Sequence, residues 1–190
     1  MILPIVAYGD PVLKKQAKDI TADYPGLEEL IANMYETMYG AHGVGLAAPQ
    51  VGRSIRLFVV DASGFVEEGD EDYEVLKDFK KVFINPRITK EIGDEWAFEE
   101  GCLSIPDIRE DVLRHPDVTI TYRDENFVEH TETYSGLAAR VIQHEYDHIE
   151  GVLFVDHLSP LRRRMLKGRL ANISKGKISV DYRMRFPQLK

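Results

Sequence analysis

The chain has one cysteine, Cys102, and one tryptophan, Trp96, in 190 residues. A single cysteine excludes an internal disulfide, so the fold has to be held by its own core. With 44% hydrophobic and 29% charged side chains, 190 residues suffice for one such domain. No apolar run approaches the roughly 18 residues of a membrane span. The opening Met1-Ile2-Leu3-Pro4-Ile5-Val6 is short, broken by Pro4 and preceded by no basic region, so it does not read as a signal peptide. With one thiol and no targeting segment, a reducing cytoplasm is the expected location, with no membrane partner. Repeats and low-complexity tracts are absent. Basic residues are also in deficit, 24 Lys and Arg against 32 Asp and Glu, for a net charge of −8. The deficit is uneven: Ser159 to Lys190 holds ten Lys or Arg and one acid, Asp181, for +9, leaving −17 on residues 1–158. An acidic body joined to a basic tail fits a polyanionic partner or a merely solvated helix face, and charge alone does not separate them.

What is present starts with Gln143-His144-Glu145-Tyr146-Asp147-His148. On an α-helix four residues advance about 400°, so His144 and His148 project from one face and can hold one metal ion. Glu145 then lies beside that ion, where a carboxylate can take a proton from water. A catalytic site of this kind needs three protein ligands and one open position. Downstream candidates are poor: Phe154 occupies the place of a further histidine and no glutamate follows Glu150. Asp156 and His157 lie at no familiar spacing. Cys102, in Glu100-Gly101-Cys102-Leu103-Ser104, would ordinarily be a small buried hydrophobe. The helix motif lacks a ligand, however, and thiolate binds zinc or ferrous iron strongly, which makes Cys102 the expected third donor.

Gly43-Val44-Gly45-Leu46-Ala47-Ala48-Pro49-Gln50 forms a third segment. It lacks the Gly-Lys-Ser/Thr of a phosphate loop and the spacing of a dinucleotide loop, so no nucleotide cofactor is expected. Alone it is an ordinary turn, although its glycines let backbone approach a ligand and Gln50 offers an amide donor.

The periodicity of Leu27, Leu30, Ile31, Met34 and Met38 predicts an amphipathic helix ending near Gly40. Residues 55–60, 82–85 and 118–122 read as strands. Ser135 is expected to cap a helix running from about Gly136 to Glu150, and Ser159-Pro160 to open another. The fold class is α+β, with the metal helix packed against sheet. The acidic stretch 63–80 reads as a solvated loop without chemistry. Arg140 is open between Asp147, another carboxylate and solvent.

Together the three segments resemble the peptide deformylase family, which carries Gly-x-Gly-x-Ala-Ala-x-Gln, Glu-Gly-Cys-x-Ser and Gln-His-Glu-x-Asp-His in that order. The likeness extends through Asn85-Pro86, Ile105-Pro106 and Gly151 to Phe154, most of residues 1–160. It implies a single α+β domain with antiparallel sheets around a central metal helix and a C-terminal helix: residues 1–158 catalytic, and 159–190 a basic helix and tail of the same unit. It also implies hydrolysis of the N-formyl group of formylmethionyl nascent polypeptides, with one divalent ion on Cys102, His144 and His148. Ferrous iron is the family's ion in the cell, and zinc, nickel and cobalt substitute. Glu145 would relay the proton, and Gln50 with the Leu103 N–H would receive the oxyanion. Val44, Phe98, Leu137 and Val141 would line the methionine pocket, with Gly45, Gly101 and Arg109 near the substrate backbone. For Leu137 and Val141 plain core packing is an equal reading. With such a substrate, ribosomal RNA becomes the natural partner for the basic tail. A general metallopeptidase, which leaves Cys102 without a role, and a non-enzymatic zinc protein that binds RNA through the tail are the alternatives.

Overall fold

The computed structural model describes residues 1–187, so Lys190, one of the ten bases of the tail, lies outside the described residues. The elements in chain order are β1 (Ile5–Val6), α1 (Leu27–Gly40), β2 (Gly45–Ala47), β3 (Leu57–Asp61), α2 (Tyr73–Leu76), β4 (Lys80–Ile92), β5 (Trp96–Cys102), β6 (Ile105–Arg114), β7 (Asp117–Arg123), β8 (Glu129–Ser135), α3 (Gly136–Ile149), α4 (Pro160–Ser174) and β9 (Met184–Arg185). The fold is α+β, as expected. A five-stranded antiparallel sheet runs β2-β3-β4-β7-β8, and β5 and β6 form an antiparallel pair. One pairing departs from the antiparallel expectation. Strands β1 and β9, from opposite ends of the chain, lie parallel, Ile5 opposite Met184 and Val6 opposite Arg185.

Alternation along β3 explains how the helices are placed. Successive side chains of a strand point to opposite faces. Leu57 and Val59 pack with Leu46, Val82 and Ile84 against Ile31, Met34 and Met38 of α1. Phe58 and Val60 face the other way, joining Phe83, Ile120 and Tyr122 against Ala138, Ala139 and Ile142 of α3. The metal helix therefore has its apolar stripe rooted on sheet. A third cluster gathers Val6, Ile105, Ile108, Val112 and Phe154 with Leu166, Leu170 and Ile173 of α4.

Ser135 occupies the N-cap position of α3, but its side chain makes no capping bond. It is still part of β8, opposite Asp117, and Gly136 at φ +58° turns the chain from strand to helix in one residue. Ser159 does cap, accepting from the Arg162 N–H at 3.2 Å. Strand β4 is far longer than residues 82–85 suggest. Asn85 sits at φ +50° where the register with β7 shifts, and its side chain bonds both backbone groups of Ile20, in the segment before α1. The acidic stretch is only in part a solvated loop: its carboxylates are mostly exposed, but Leu76 and Phe79 are buried. Among the described residues, no helix is long and apolar enough to cross a membrane.

Candidate active site

Helix α3 carries His144 and His148 one turn apart, their ring centroids 5.1 Å from each other, toward the end of β5 where Cys102 stands. The Cys102 Sγ is 3.3 Å from His148 Nε2, and one donor atom from each of the three side chains falls within 4.8 Å of the others. A thiolate with two imidazoles is a donor set suited to zinc or ferrous iron. Glu145 is 4% exposed, and its Oε2 is a buried oxygen without a protein partner. Such an atom is costly unless the site supplies something for it to bind. The three donors and this oxygen fit a divalent ion with water beside it. His144, His148, Cys102 and Glu145, all inferred from spacing and donor chemistry, are thus brought together.

Gln50 is held just as closely. Its Oε1 accepts the Ala47 N–H at 2.9 Å, which leaves the amide NH2 aimed at Ser104 Oγ, 3.2 Å away, and at Cys102 Sγ, 3.5 Å away. Gly45 has no room for a side chain: a Cβ there would stand 2.5 Å from Glu145 Oε1 and 2.8 Å from its Cγ and Cδ. Strand β2 therefore presses its backbone directly on the Glu145 carboxylate.

Behind the metal donors lies an ion network for which the sequence analysis had no assignment. Glu100, 5% exposed at its side chain, accepts from His144 Nδ1 at 2.8 Å, from Arg114 at 2.7 and 3.0 Å, and from Arg140 Nη1 at 2.9 Å. Asp147 takes the remaining Arg114 arm at 2.9 Å together with His157 Nε2 at 2.7 Å. Arg140 is resolved in favour of the other carboxylate: it is buried, paired with Glu100 rather than Asp147, bonded to the carbonyls of Val112 and Trp96, and its guanidinium stacks 4.6 Å from the Trp96 ring. Antiparallel pairing sets Glu100 of β5 opposite Glu110 of β6, four residues from Arg114, and sequence spacing gives no hint of that proximity. A carboxylate two residues before a thiolate donor was the one available signal. The bond to Glu100 fixes the His144 tautomer, leaving Nε2 free for an ion. His148 Nδ1, in contrast, has no hydrogen-bond partner among the described residues.

Burial and charge set the protonation states. Burial would raise the Glu100 carboxyl, but hydrogen bonds from His144 and Arg114 hold it well below its usual range. Glu145 is pushed up to about 7, chiefly by burial. Burial opposes charge on both histidines. Bonds to Cys102 and Glu100 outweigh it at His144, whereas at His148 burial and the neighbouring His144 push the ring's pKa down; an ion held by both rings would require each of them neutral.

Cys102 and His144 open into a cleft of about 910 Å³, with His148 buried behind them. Its lining includes Val44, Gly45, Gln50, Phe98, Gly101, Leu103, Arg109, Leu137 and Val141. Leu137 and Val141 line the cleft and also pack against the α3 cluster. Arg109 Nε bonds Glu99 Oε2 at 2.8 Å, and its Nη1 would lie 2.9 Å from a Cβ on Gly101, so that glycine makes room for the guanidinium. Several parts of the lining were missed: His42, Ile105 to Ile108, Ser179 to Tyr182, whose Tyr182 hydroxyl donates to the Leu103 carbonyl at 2.8 Å, and the group Ala62, Phe65 and Leu76.

The family model for polypeptide deformylase matches residues 2–164. The chain belongs to that family. A peptide deformylase of Christiangramia forsetii is 68% identical over 193 residues, covering 100% of this chain and 98% of that protein. The crystal structure of a peptide deformylase from Legionella pneumophila superposes with a TM-score of 0.79 at 40% identity, covering 93% and 98% of the two chains. Peptide deformylase 1B of Arabidopsis thaliana, solved with an inhibitor, gives 0.80 at 36% identity over 92% of each. Membership agrees with the α+β fold, with hydrolase chemistry and with a single-metal site of one cysteine and two histidines.

Proposed function

We propose that this chain removes the formyl group from the N-terminal formylmethionine of nascent polypeptides by metal-dependent hydrolysis, releasing formate and a free amino terminus. One observation carries the reading: Cys102 and His144 line a single cleft with Glu145 and Gln50, and His148 stands within ligand reach of both donors. A divalent ion on the three donors would act as a Lewis acid and bring the pKa of water toward neutrality. Ferrous iron is the proposed ion in the cell, with zinc, nickel or cobalt as substitutes, since all accept thiolate and imidazole.

The chain's own groups then act in order. Glu145 accepts the proton of the attacking water at its unpartnered Oε2 and passes it to the departing amine. A carboxyl pushed up to about 7 can do both near neutral pH. Gln50 Nε2, oriented in advance by Ala47, and the Leu103 N–H receive the charge that builds on the formyl oxygen. Val44, Phe98, Leu137 and Val141 enclose the methionine side chain, which is unbranched and polarizable enough to fill an irregular apolar slot. Gly45, Gly101 and Arg109 face the peptide backbone. Formate released from formyl-Met-Ala-Ser by anaerobically purified, iron-loaded protein, but neither from the acetylated peptide nor by Glu145→Ala, is the expected result. A metal-replete, folded Glu145→Ala protein with near-native turnover would remove the proton relay.

The nascent substrate also suggests ribosomal RNA as a partner in the cytoplasm. Arg163, Arg164, Lys167 and Lys175 stand exposed on α4 and its end, whereas Arg162 is engaged by Glu110 and Arg169 by the Asp107 carbonyl. Deleting the tail would also delete β9 and buried residues of the third cluster, so the test is Arg163, Arg164 and Lys167 changed together to alanine. Salt-sensitive cosedimentation with ribosomes should weaken, and an unchanged salt dependence rejects the contact.

A further inference from the structure

Ala62, Phe65 and Leu76 form a part of the cleft that none of the three motifs accounts for. They belong to the excursion between β3 and β4, whose strands are adjacent and antiparallel and could be joined by a turn of roughly two to five residues. The excursion is instead long and acidic, and its base is tied beside the substrate site. The Asp61 N–H donates to the Val44 carbonyl at 2.8 Å, the Ala62 N–H to Phe79 at 2.9 Å and the Phe79 N–H to Leu76 at 3.0 Å. Leu76 and Phe79 are 2% and 5% exposed, in the cluster against which Leu137 and Val141 pack. Asp72 reaches the start of α3, its Oδ1 lying 3.7 Å from where a Cβ on Gly136 would stand. The acids face water while two apolar side chains fasten the segment to the same helix that presents the pocket. Leu76 is therefore both buried and at the cleft surface.

We propose that Leu76 is a specificity-determining residue that closes the apolar pocket and limits the length of the N-terminal side chain it accepts, with Phe65, 60% exposed, at the rim. The proposal rests on the deformylase reading. A wall limits length only if it cannot yield, and Leu76 is backed by Phe79 and the sheet cluster. One methylene too many in such a pocket changes selectivity by roughly 10- to 200-fold.

The test compares kcat/KM on formyl-Met-Ala-Ser, formyl-Phe-Ala-Ser and formyl-Ala-Ala-Ser for wild type, Leu76→Ala and Leu76→Phe, with a thermal melt of each protein. Removing the end of Leu76 should raise the Phe/Met ratio by about tenfold, and filling the space with Phe should lower the Met/Ala ratio by a similar factor. A protein that is merely destabilised cannot move the two ratios in these opposite senses of size. If Leu76→Ala does not fold, the Leu76→Phe ratio decides alone. Ratios within about twofold of wild type in folded variants that still release formate would make Leu76 a core residue only and overturn the proposal. Absence of formate from every peptide with wild type would instead overturn the deformylase reading and this proposal with it.

Discussion

Replacing Glu100 by alanine should damage both stability and metal binding, because one side chain neutralises and orients three others. Four donor atoms converge on it: Arg114 Nε and Nη2, Arg140 Nη1 and His144 Nδ1, at 2.7 to 3.0 Å. Both arginines are buried to within 5% exposure, so solvent does not screen the loss as it would at a surface pair. Removing one partner of a buried ion pair costs about 3–5 kcal/mol, since the remaining charges keep their desolvation penalty. Against a typical total of about 5–15 kcal/mol, that is a large share. Arg140 also keeps carbonyl partners at Val112 and Trp96, and Arg114 keeps Asp147, which places the expected cost toward the lower end of that range. Glu100→Gln, which retains an acceptor and the shape, should cost less. His144 would lose the partner that fixes its ring, a change worth about 10- to 100-fold in metal affinity. Urea unfolding of metal-free protein gives the first quantity and a competitive zinc titration the second. A Glu100→Ala protein within about 1 kcal/mol of wild type, with zinc affinity unchanged, would refute the view that this network carries the site.

Gly45→Ala should keep the fold and the metal but lose about 10²-fold in turnover, because a Cβ at 2.5 Å from Glu145 Oε1 must push that carboxylate out of position; activity within threefold of wild type, read with metal content and circular dichroism, would contradict the close approach. Acid should destabilise the protein through Glu100 and Glu150. At Glu150 burial raises the carboxyl but Arg56 and Gln16 outweigh it, so both groups sit below their ordinary 4.5 when folded. A depressed folded pKa contributes stability that is present above about pH 4.5 and lost as pH falls through the folded value. The urea midpoint should therefore fall as pH drops below about 4.5 and go on falling toward the still lower folded value of Glu100, and Glu150→Gln should show a shallower drop; equal slopes would exclude Glu150 as a contributor.

What was legible in the sequence follows from which interactions leave a periodic mark. The His144 and His148 pair is a statement about helical period, and α1 showed itself through Leu27, Ile31, Met34 and Met38, all buried in the structure. Strand β8 left no such mark. Its sequence, Glu129 to Ser135, has no alternating apolar face, and it pairs with β7 through its backbone ladder and through Thr119 with Thr133 and Thr121 with Thr131, each hydroxyl pair at 2.8 Å. Strand β6 does alternate in burial, but two of its buried positions are Glu110 and Arg114, so a hydropathy pattern breaks where the ion network begins. Leu76 was hidden for a related reason, being one of two buried hydrophobic residues, with Phe79, in a stretch whose acids are mostly exposed. The residues that react stood in contiguous motifs. Those that orient them are brought together by strand pairing, and no local pattern encodes that.

The three apolar clusters explain why the donors meet where they do. Helix α3, with both histidines and Glu145, is rooted in the cluster on one face of the large sheet, and Leu46 and Ala48, flanking the route to Gln50, belong to the cluster on the other face. Cys102 packs against the third cluster, with β6, Phe154 and α4. The histidines with Glu145, Gln50, and Cys102 are thus fixed by three different parts of the core, and the cleft is the place where the three parts adjoin. Close-packed interiors transmit displacement rather than absorb it. A change of volume in the α3 cluster or in the third cluster therefore shifts the two histidines and Cys102 relative to each other, and one in the α1 cluster shifts Gln50 relative to all three, which is how packing remote from the chemistry comes to govern the site's geometry in a fold with no disulfide to hold it.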